Sequence, residues 1–319
     1  MAGFELGDGD GEDEDPYASD PSMAGNLRER FIVPPFSVLD TRQGYWQERR
    51  KHWQAVINDK GETREQTLFA EDSLGAKIGT VSILDAVLAE IVVEWFGLPH
   101  GKAFDPFAGD TVFGFVAGTK GQTFTGIELR DAQAKINQMR CSDAGLPCTY
   151  HNDDGQNLLK YIPNESQDLL FSCPPYLDLE KYSDDPRDLS NMSHSEFYTV
   201  YSAVFKAAYT ALKPDRFACV VTSEVRDKDG LYAGLVPKTI QIMEEAGFRY
   251  YNELILVNSA GTVPIRVTKS MNAGRKVGRV HQNVLVFYKG DPKAIGQTFP
   301  EFLDEDAAYA TEGGDYDEG

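Results

Sequence analysis

Apolar residues follow two different spacings along the middle of the chain, and the two spacings alternate. From Thr80 to Phe96 they recur at helical intervals, which predicts a helix with one buried face. Downstream, short apolar runs typical of strands alternate with helical segments. The strands are predicted from 102 onward and at 122–128, 147–150, 167–172, 217–222, 250–257 and 283–288, and the helices at 110–118, 131–140, 195–212 and 231–246. This alternation predicts an α/β fold with a mostly parallel seven-stranded sheet, helices on both faces and a closing antiparallel pair.

The two ends of the chain differ in composition from its middle. Residues 1–20 hold eight acidic residues and no lysine or arginine, and residues 301–319 hold another eight. Without these 16 residues, 34 acidic residues face 31 basic ones, so the net charge falls from −19 to −3. We therefore predict disordered acidic tails at 1–25 and 296–319 around a single domain at 26–295.

Composition also narrows the class of protein. With 41% hydrophobic residues the chain can bury a core, and no apolar run reaches the length of a membrane span. The N-terminus is acidic, which disfavours a signal peptide. The four cysteines have neither metal-ligand nor disulfide spacing. We expect a cytoplasmic protein with reduced thiols, no membrane association and no metal, whose oligomeric state stays open.

The segment from Lys102 to Glu128 has the layout of a nucleotide-binding crossover. A strand runs into Asp105-Pro106-Phe107-Ala108-Gly109, a helical segment follows, and a second strand ends in Gly126-Ile127-Glu128. A glycine-containing turn lets backbone approach a ligand, and an acid after the second strand can take ribose hydroxyls. Asp105 and Glu128 are 23 residues apart, close to the spacing of about 20 for such an acid. Gly-x-Gly-x-x-Gly is absent, which disfavours a nicotinamide cofactor.

The second motif is Ser172-Cys173-Pro174-Pro175-Tyr176, at the end of a short apolar strand. Neither proline can donate a backbone hydrogen bond, so a central strand cannot continue through them. What remains is a rigid loop with free carbonyls beside an aromatic ring. The ring can stack on a flat substrate while the carbonyls accept hydrogen bonds from an amino group, as a nucleobase would require.

The two motifs, in this order, resemble those of phage- and prophage-type site-specific DNA amino-methyltransferases, in which Asp, Asn or Ser precedes Pro-Pro-Tyr. The resemblance covers roughly residues 30–290 and implies a Rossmann-like S-adenosylmethionine-dependent methyltransferase fold. It implies double-stranded DNA as the partner, with the target base flipped out of the duplex. The residues implied in catalysis are Ser172, Cys173, Pro174, Pro175 and Tyr176, and those implied in binding S-adenosylmethionine are Asp105, Pro106, Phe107, Ala108, Gly109, Glu128 and either Asp153 or Asp154.

One position departs from that family pattern. Cys173 stands where the family has Asp, Asn or Ser, and a thiol is a weak hydrogen-bond acceptor. Ser172 could take over this role if the loop were shifted by one residue. Cys173 also removes the cue that separates N6-adenine from N4-cytosine methylation, so the target base stays open. An RNA methyltransferase of the same fold, or a DNA-binding module that has lost catalysis, are the alternatives.

Two further segments are rich in basic residues. At 26–60, aromatic residues alternate with Arg42, Arg49, Arg50 and Lys51, as expected either for an extended arm packed on the domain or for an arm that faces DNA. From Leu254 to Gly290 no acidic residue occurs, and we predict a basic loop at 258–282 that follows phosphates. A solvated loop without a ligand is the alternative. The residues assigned to DNA contact are Arg266, Lys269, Arg275, Lys276 and Arg279.

Overall fold

The computed structural model describes Leu27, Arg28, 30–57, 84–261 and 263–302, with the backbone alone at Arg266. The chain divides into two compact units, one of which is Phe36–Pro300. In the other, Arg30 Nε donates a hydrogen bond to the carbonyl of Phe302 (2.8 Å), and the rings of Phe31 and Phe302 lie 5.0 Å apart. The predicted disordered tail at 1–25, the start of the predicted helix at 80–83 and the chain after 302 lie outside the described residues.

Eight described strands form one sheet in the larger unit, one more than predicted. In space they lie in the order β1-β7-β8-β6-β5-β2-β3-β4. β8 runs antiparallel to β6 and β7, as predicted for the closing pair, and the other neighbours are parallel. The strands are β1 (Val38–Asp40), β2 (Lys102–Asp105), β3 (Thr123–Glu128), β4 (Cys148–Asn152), β5 (Gln167–Ser172), β6 (Leu212–Thr222), β7 (Arg249–Val257) and β8 (His281–Lys289).

β1 is the strand that the pattern did not predict. It has three residues, and of these Leu39 alone is buried, so it carries too little alternation to be recognised. Its register is fixed by pairing with β7, where Leu39 lies beside Leu256.

The described helices are α1 (Gly44–Ile57), α2 (Ala86–Phe96), α3 (Val112–Thr119), α4 (Asp131–Asp143), α5 (His194–Ala211), α6 (Leu235–Ala246), α7 (Val263–Gly274) and α8 (Ile295–Thr298). They cover both faces of the sheet, because successive side chains of a strand point to opposite sides. On β5, Leu170 belongs to the core shared with α5 and α6, whereas the ring of the next residue, Phe171, lies 4.9 Å from that of Phe113 on α3.

Three segments differ from the sequence prediction. Residues predicted as an extended arm form α1, which buries Trp46 and Trp53 against α2. The predicted basic loop at 258–282 contains α7, a 12-residue helix, because no glycine interrupts it before Gly274, its last residue. The predicted acidic tail begins with α8, after which the Phe299 ring packs 5.1 Å from Phe217.

The start of α6 also moves. It begins at Leu235, four residues later than predicted, because Gly234 adopts a left-handed φ of 75° at the N-cap and stops the helix from extending backward.

One edge of the sheet has the geometry at which ligands bind in open α/β folds. The chain leaves β2 toward β3 on one side and returns to β5 on the other, so the strand order reverses between β2 and β5. In open α/β sheets, ligands bind outside the carboxyl ends of the strands at such a reversal. Asp105, Glu128 and Ser172 end β2, β3 and β5, so both sequence motifs meet at this edge.

The described helices include none that is both long and apolar enough to cross a membrane.

Candidate functional site

The turn after β2 is built around the side chain of Asp105. Its Oδ1 accepts hydrogen bonds from Ser172 Oγ (2.6 Å) and from the backbone N–H of Phe107 (2.8 Å). Gly109 closes the turn with a φ of 54°, which strains any other residue, and its N–H donates a hydrogen bond to Glu128. The first motif thus holds its two acids, Asp105 and Glu128, around one short turn.

Both acids are buried, and burial disfavours their charged forms. Burial raises the pKa of Asp105 to about 7, although the hydrogen bonds from Ser172 and Phe107 oppose this. Burial also raises the pKa of Glu128, against the opposing effect of the Arg130 guanidinium, whose Nε lies 3.0 Å from Glu128 Oε1. A cationic ligand beside these carboxyls would stabilise their charged forms.

A buried polar side chain that the sequence analysis missed supports this turn. Asn137 of α4 donates a hydrogen bond from Nδ2 to the carbonyl of Gly109 (2.9 Å). Its Oδ1 accepts from Thr111 Oγ1 and Gln133 Nε2, both at 2.8 Å. An asparagine inside a helical pattern looks like a surface residue in sequence, so no signal marked it.

The resemblance implies that either Asp153 or Asp154 binds S-adenosylmethionine, and only one of the two lies at the site. Asp154 is buried and lines the cavity at the turn. Asp153 does not line it, because its Oδ1 accepts from Asn157 (2.7 Å) and its Oδ2 from the Tyr161 hydroxyl (2.8 Å). Burial raises the pKa of Asp153, but these hydrogen bonds outweigh it and lower the value to about 2.

A cavity of about 150 Å³ lies over the turn and is called here the donor cavity. The floor of the cavity is tight at Gly155, where a Cβ would come within 2.6 Å of the carbonyl oxygen of Pro106. All five residues of the first motif line it, together with Glu128, Asp154, Cys173, Pro174, Pro175 and Tyr176. The two sequence motifs therefore share one cavity.

The Cys173-Pro-Pro-Tyr176 loop is held from both sides. The hydroxyl of Tyr176 accepts a hydrogen bond from Gln282 Nε2 on β8 (2.9 Å) and lies 3.5 Å from Cys173 Sγ. Burial raises the pKa of Cys173 to about 12, against the lowering effect of the Tyr176 hydroxyl. Cys173 is therefore a neutral thiol near pH 7, and a covalent thiolate mechanism has no support.

Ser172 is not where the shifted-loop alternative would need it. It is buried and donates its hydroxyl proton to Asp105, and it lines neither the donor cavity nor the cleft described next. Because β5 ends at Ser172 with its side chain turned toward β2, the serine positions Asp105 instead of facing a substrate.

A second and larger opening adjoins the donor cavity. This acceptor cleft has a volume of about 870 Å³ and lies at the ends of β6, β7 and β8. Leu84, Cys173, Tyr176 and Glu180 line both spaces, so the catalytic loop forms the boundary between them. A two-substrate transfer reaction requires this arrangement, in which two ligands meet at one wall.

The segment after the catalytic loop, residues 177–189, borders the donor cavity. Its lining residues were not predicted as site residues, because a short acidic stretch is common on protein surfaces. They are Glu180, Tyr182, Arg187, Asp188 and Leu189.

The predicted DNA-contacting residues do not form a single group. Lys269 on α7 and Arg275 after it are exposed, and the side chain of Arg266 is outside the described part. Lys276 packs against Gly230. Arg279 instead lines the acceptor cleft, where Nε donates to Ser223 Oγ (2.8 Å) and to the carbonyl of His281 (3.2 Å). α7 joins β7 to β8, both of which line that cleft.

In the arm, all three of the arginines considered for DNA contact pair with acidic residues of the protein. Arg49 pairs with Glu90 (Nε to Oε2, 2.5 Å), and Arg50 pairs with Asp85, the N-cap of α2. Arg42 pairs with Asp40 (2.7 Å). These pairs favour the packed interpretation of the arm over the DNA-facing one.

The described residues contain no group of His, Cys, Asp and Glu placed to hold a metal ion, and their four cysteines are free thiols.

No protein-family model matches the chain, and no curated protein does. Among solved structures, it is similar to TrmN from Thermus thermophilus, with 15% identity and a TM-score of 0.44 over 65% of this chain and 49% of TrmN. A TehB-like SAM-dependent methyltransferase from Corynebacterium glutamicum has 13% identity and a TM-score of 0.40, over 63% and 86% of the two chains. A candidate DNA modification methylase, also from Thermus thermophilus, has 16% identity and a TM-score of 0.33, over 46% and 53%.

The chain spans about half the length of TrmN. At these identities and TM-scores the matches do not identify a substrate. The parallel sheet with one antiparallel strand, flanked on both faces by helices, has a Rossmann-like α/β architecture.

Proposed function

We propose that this chain is a DNA methyltransferase that uses S-adenosylmethionine to methylate the exocyclic amine of adenine (N6) or cytosine (N4). The observation that carries the proposal is the shared wall of the two cavities. The Cys173-Pro-Pro-Tyr176 loop borders the donor cavity on one side and the acceptor cleft on the other. A methyl group can be transferred only if the protein holds the donor and the acceptor next to each other in the right orientation.

The residues of the donor cavity fit S-adenosylmethionine. Asp105, Glu128 and Asp154 are buried acceptors, and burial raises the pKa of the first two, of Glu128 even beside the Arg130 guanidinium. S-adenosylmethionine offers an ammonium group, a ribose diol and an adenine amine, all of which donate hydrogen bonds. When bound, it supplies an electrophilic methyl group. Asp105 and Gly109 would hold its methionine part, Glu128 its ribose and Asp154 its adenine.

The acceptor cleft suits a base with an amino group. Its volume of about 870 Å³ lies in the range of sites that bury a molecule of nucleotide size. Tyr176 would stack on the base, and the Pro174 carbonyl would accept a hydrogen bond from its amine. That hydrogen bond draws the nitrogen lone pair out of conjugation with the ring and leaves it free to bond to carbon.

DNA is the proposed polymer because the two motifs resemble those of DNA amino-methyltransferases, and the exposed cations of the segment between β7 and β8 suit a nucleic acid of either kind. A base inside a duplex must leave the stack to reach the loop, at a cost of a few kcal/mol. Lys269 and Arg275 can hold the flanking phosphates while this happens. The resemblance to phage-type enzymes extends the proposal to modification of a specific site. An RNA substrate is the rival outcome of the same experiment.

The test uses S-adenosylmethionine labelled in the methyl group, with unmodified duplex DNA and with RNA as separate acceptors. Nuclease digestion and mass spectrometry then identify the methylated nucleoside. We expect N6-methyldeoxyadenosine or N4-methyldeoxycytidine. Label in RNA alone would overturn the DNA assignment, and donor binding without transfer to either polymer would support a module that has lost catalysis.

The role of the tyrosine ring is tested with Tyr176→Ala. Stacking of a base on an aromatic ring contributes about 1–3 kcal/mol, so we expect turnover to fall roughly 10- to 100-fold. Tyr176→Phe is the matched control, since it keeps the ring and loses only the hydroxyl contacts with Gln282 and Cys173. Donor affinity is measured for both variants by calorimetry, because Tyr176 also borders the donor cavity. Equal activity of the alanine and wild-type proteins would contradict stacking.

A further inference from the structure

The wall between the two cavities contains one charged side chain. Among the described residues that line both spaces, Glu180 alone carries a carboxylate, and the others are Leu84, Cys173 and Tyr176. It lies four residues after Tyr176, in the segment that borders the donor cavity. This position puts a carboxyl group that can accept a proton at the place where the transfer reaction would occur.

The proposed reaction needs such a group. An amine nitrogen that gains a methyl group becomes positively charged and must release a proton. The thiol of Cys173 is a weak acceptor, and Ser172 donates its proton to Asp105. The Tyr176 hydroxyl already accepts a hydrogen bond from Gln282 (2.9 Å). The loop itself therefore offers the Pro174 carbonyl but no base.

Glu180 is oriented from the donor side. The Tyr182 hydroxyl hydrogen-bonds to the Glu180 carboxylate, and burial together with this negative charge raises the pKa of Tyr182. The Tyr182 backbone N–H donates a hydrogen bond to Ser190 Oγ (3.3 Å), and the Ser190 hydroxyl in turn donates one to Asp188 Oδ1 (2.7 Å). The carboxylate also lies close enough to Cys173 to contribute to the raised pKa of that thiol. Hydrogen bonds at Tyr182 and Ser190 thus fix the end of the segment that follows Glu180, and Glu180 itself lies near the catalytic loop.

We propose that Glu180 is a catalytic residue that accepts the proton of the target amine, in place of the side chain missing at Cys173. The amine nitrogen uses its lone pair to form the N–CH₃ bond while the S–CH₃ bond breaks and its electron pair stays on sulfur. The surplus proton on nitrogen then passes to the Glu180 carboxylate and from there to water. This inference rests on the proposed function in requiring an amine as acceptor.

The experiment compares Glu180→Ala with Asp178→Ala. Asp178 is an exposed carboxylate of the same segment, paired with His194 (3.6 Å) and lining neither cavity. We expect Glu180→Ala to lower turnover on DNA at least about 100-fold, the lower range for loss of acid–base catalysis. Donor affinity is measured for the same variant, because Glu180 also lines the donor cavity. Asp178→Ala should keep wild-type turnover. The double variant Glu180→Ala/Cys173→Asp should recover at least about tenfold, because it restores an acceptor beside Pro174.

A second readout needs neither donor nor turnover. NMR titration measures the dissociation constants of deoxyadenosine and of purine 2′-deoxyriboside, which lacks the amine. The same comparison is made between deoxycytidine and its analogue without the amine. A hydrogen bond to a charged acceptor favours the amine-bearing member by about tenfold or more in the wild type. Glu180→Ala should lose most of this preference and keep only the smaller part that a hydrogen bond to the neutral Pro174 carbonyl supplies.

The outcomes separate this proposal from the function on which it rests. If the wild type methylates DNA and Glu180→Ala keeps its rate and its preference for the amine, the Glu180 assignment is wrong. If the wild type transfers nothing to DNA, the DNA assignment fails, and the nucleoside preference still decides whether Glu180 contacts an amine.

Discussion

At the scale of single residues, the site depends on groups whose ordinary chemistry is changed by burial. Asp105 is the clearest case, since it ends β2, accepts from Ser172 and has its pKa raised to about 7. The sequence identified Asp105 through the motif that follows it. It could not identify Ser172 as the partner of Asp105, because the two are 67 residues apart and meet only when β2 and β5 pair.

The raised pKa of Asp105 predicts how donor binding depends on pH. The cationic donor favours the carboxylate, so binding below pH 7 must expel a proton. We expect affinity for S-adenosylmethionine to rise by up to about tenfold per pH unit until pH 7 and then to level off. Titration calorimetry from about pH 5.5 to about pH 8.5 measures this across the raised pKa. In Asp105→Asn the rise should be lost, and any slope left over belongs to Glu128 or to the donor itself.

The same shift has the opposite sign for stability. Between its ordinary pKa of 3.8 and about 7, folded Asp105 keeps a proton that the unfolded chain has released. Its contribution to the free energy of unfolding therefore falls as pH rises through this window. Donor binding reverses that loss, which ties the unfolding midpoint to donor concentration most strongly near neutral pH.

At the scale of elements, α7 differs most from its prediction. The absence of acids between Leu254 and Gly290 was evident in sequence, and so were the glycines that suggested a loop. Only Gly274 falls within the helix, at its last position, and Gly278 lies beyond it. Ile265 is 81% exposed on α7, four residues before the exposed Lys269.

We predict that α7 and the residue after it contact phosphates. The double variant Lys269→Ala/Arg275→Ala should bind duplex DNA more weakly, whatever its sequence, and the slope of log K against log salt should shrink by about 2. Fluorescence anisotropy at several salt concentrations measures this slope. Lys135→Ala/Lys206→Ala removes two charges from other exposed positions, on α4 and α5. If the salt slope changes equally in the two double variants, net charge and not phosphate contact determines the slope.

At the scale of the whole molecule, α1 joins the rest of the larger unit through a buried carboxylate. Glu90 of α2 is 3% exposed and accepts hydrogen bonds from Arg49 and from Trp53 Nε1 (2.8 Å), with Lys120 3.6 Å away. Burial raises the pKa of Glu90, but Arg49 and Trp53 outweigh it and the net shift is downward. The sequence showed that the arm is rich in aromatic and basic residues, but it gave no sign that Glu90 is the partner of Arg49 and Trp53.

We predict that Glu90→Ala lowers the free energy of unfolding by about 2–4 kcal/mol. Removing one member of a buried pair costs about 3–5 kcal/mol, and the partial exposure of Arg49 reduces this. Because the pKa of Glu90 is lowered, its contribution should be present near neutral pH and be lost under acid conditions. Urea unfolding measures the change. Glu94→Ala, which removes an exposed partner of Lys120, should cost under about 1 kcal/mol.

The sequence by itself determined the order of strands and helices from α2 to β7, the antiparallel closing pair and the two motifs. Each depends on neighbours in the chain: apolar spacing, the missing N–H groups of Pro174 and Pro175, and the left-handed turn at Gly109. The tertiary structure alone decided which side chains meet. Glu180 at the wall of both cavities, Ser172 on Asp105 and Gln282 on Tyr176 are contacts between distant segments, and hydrophobic periodicity carries no information about such polar pairs.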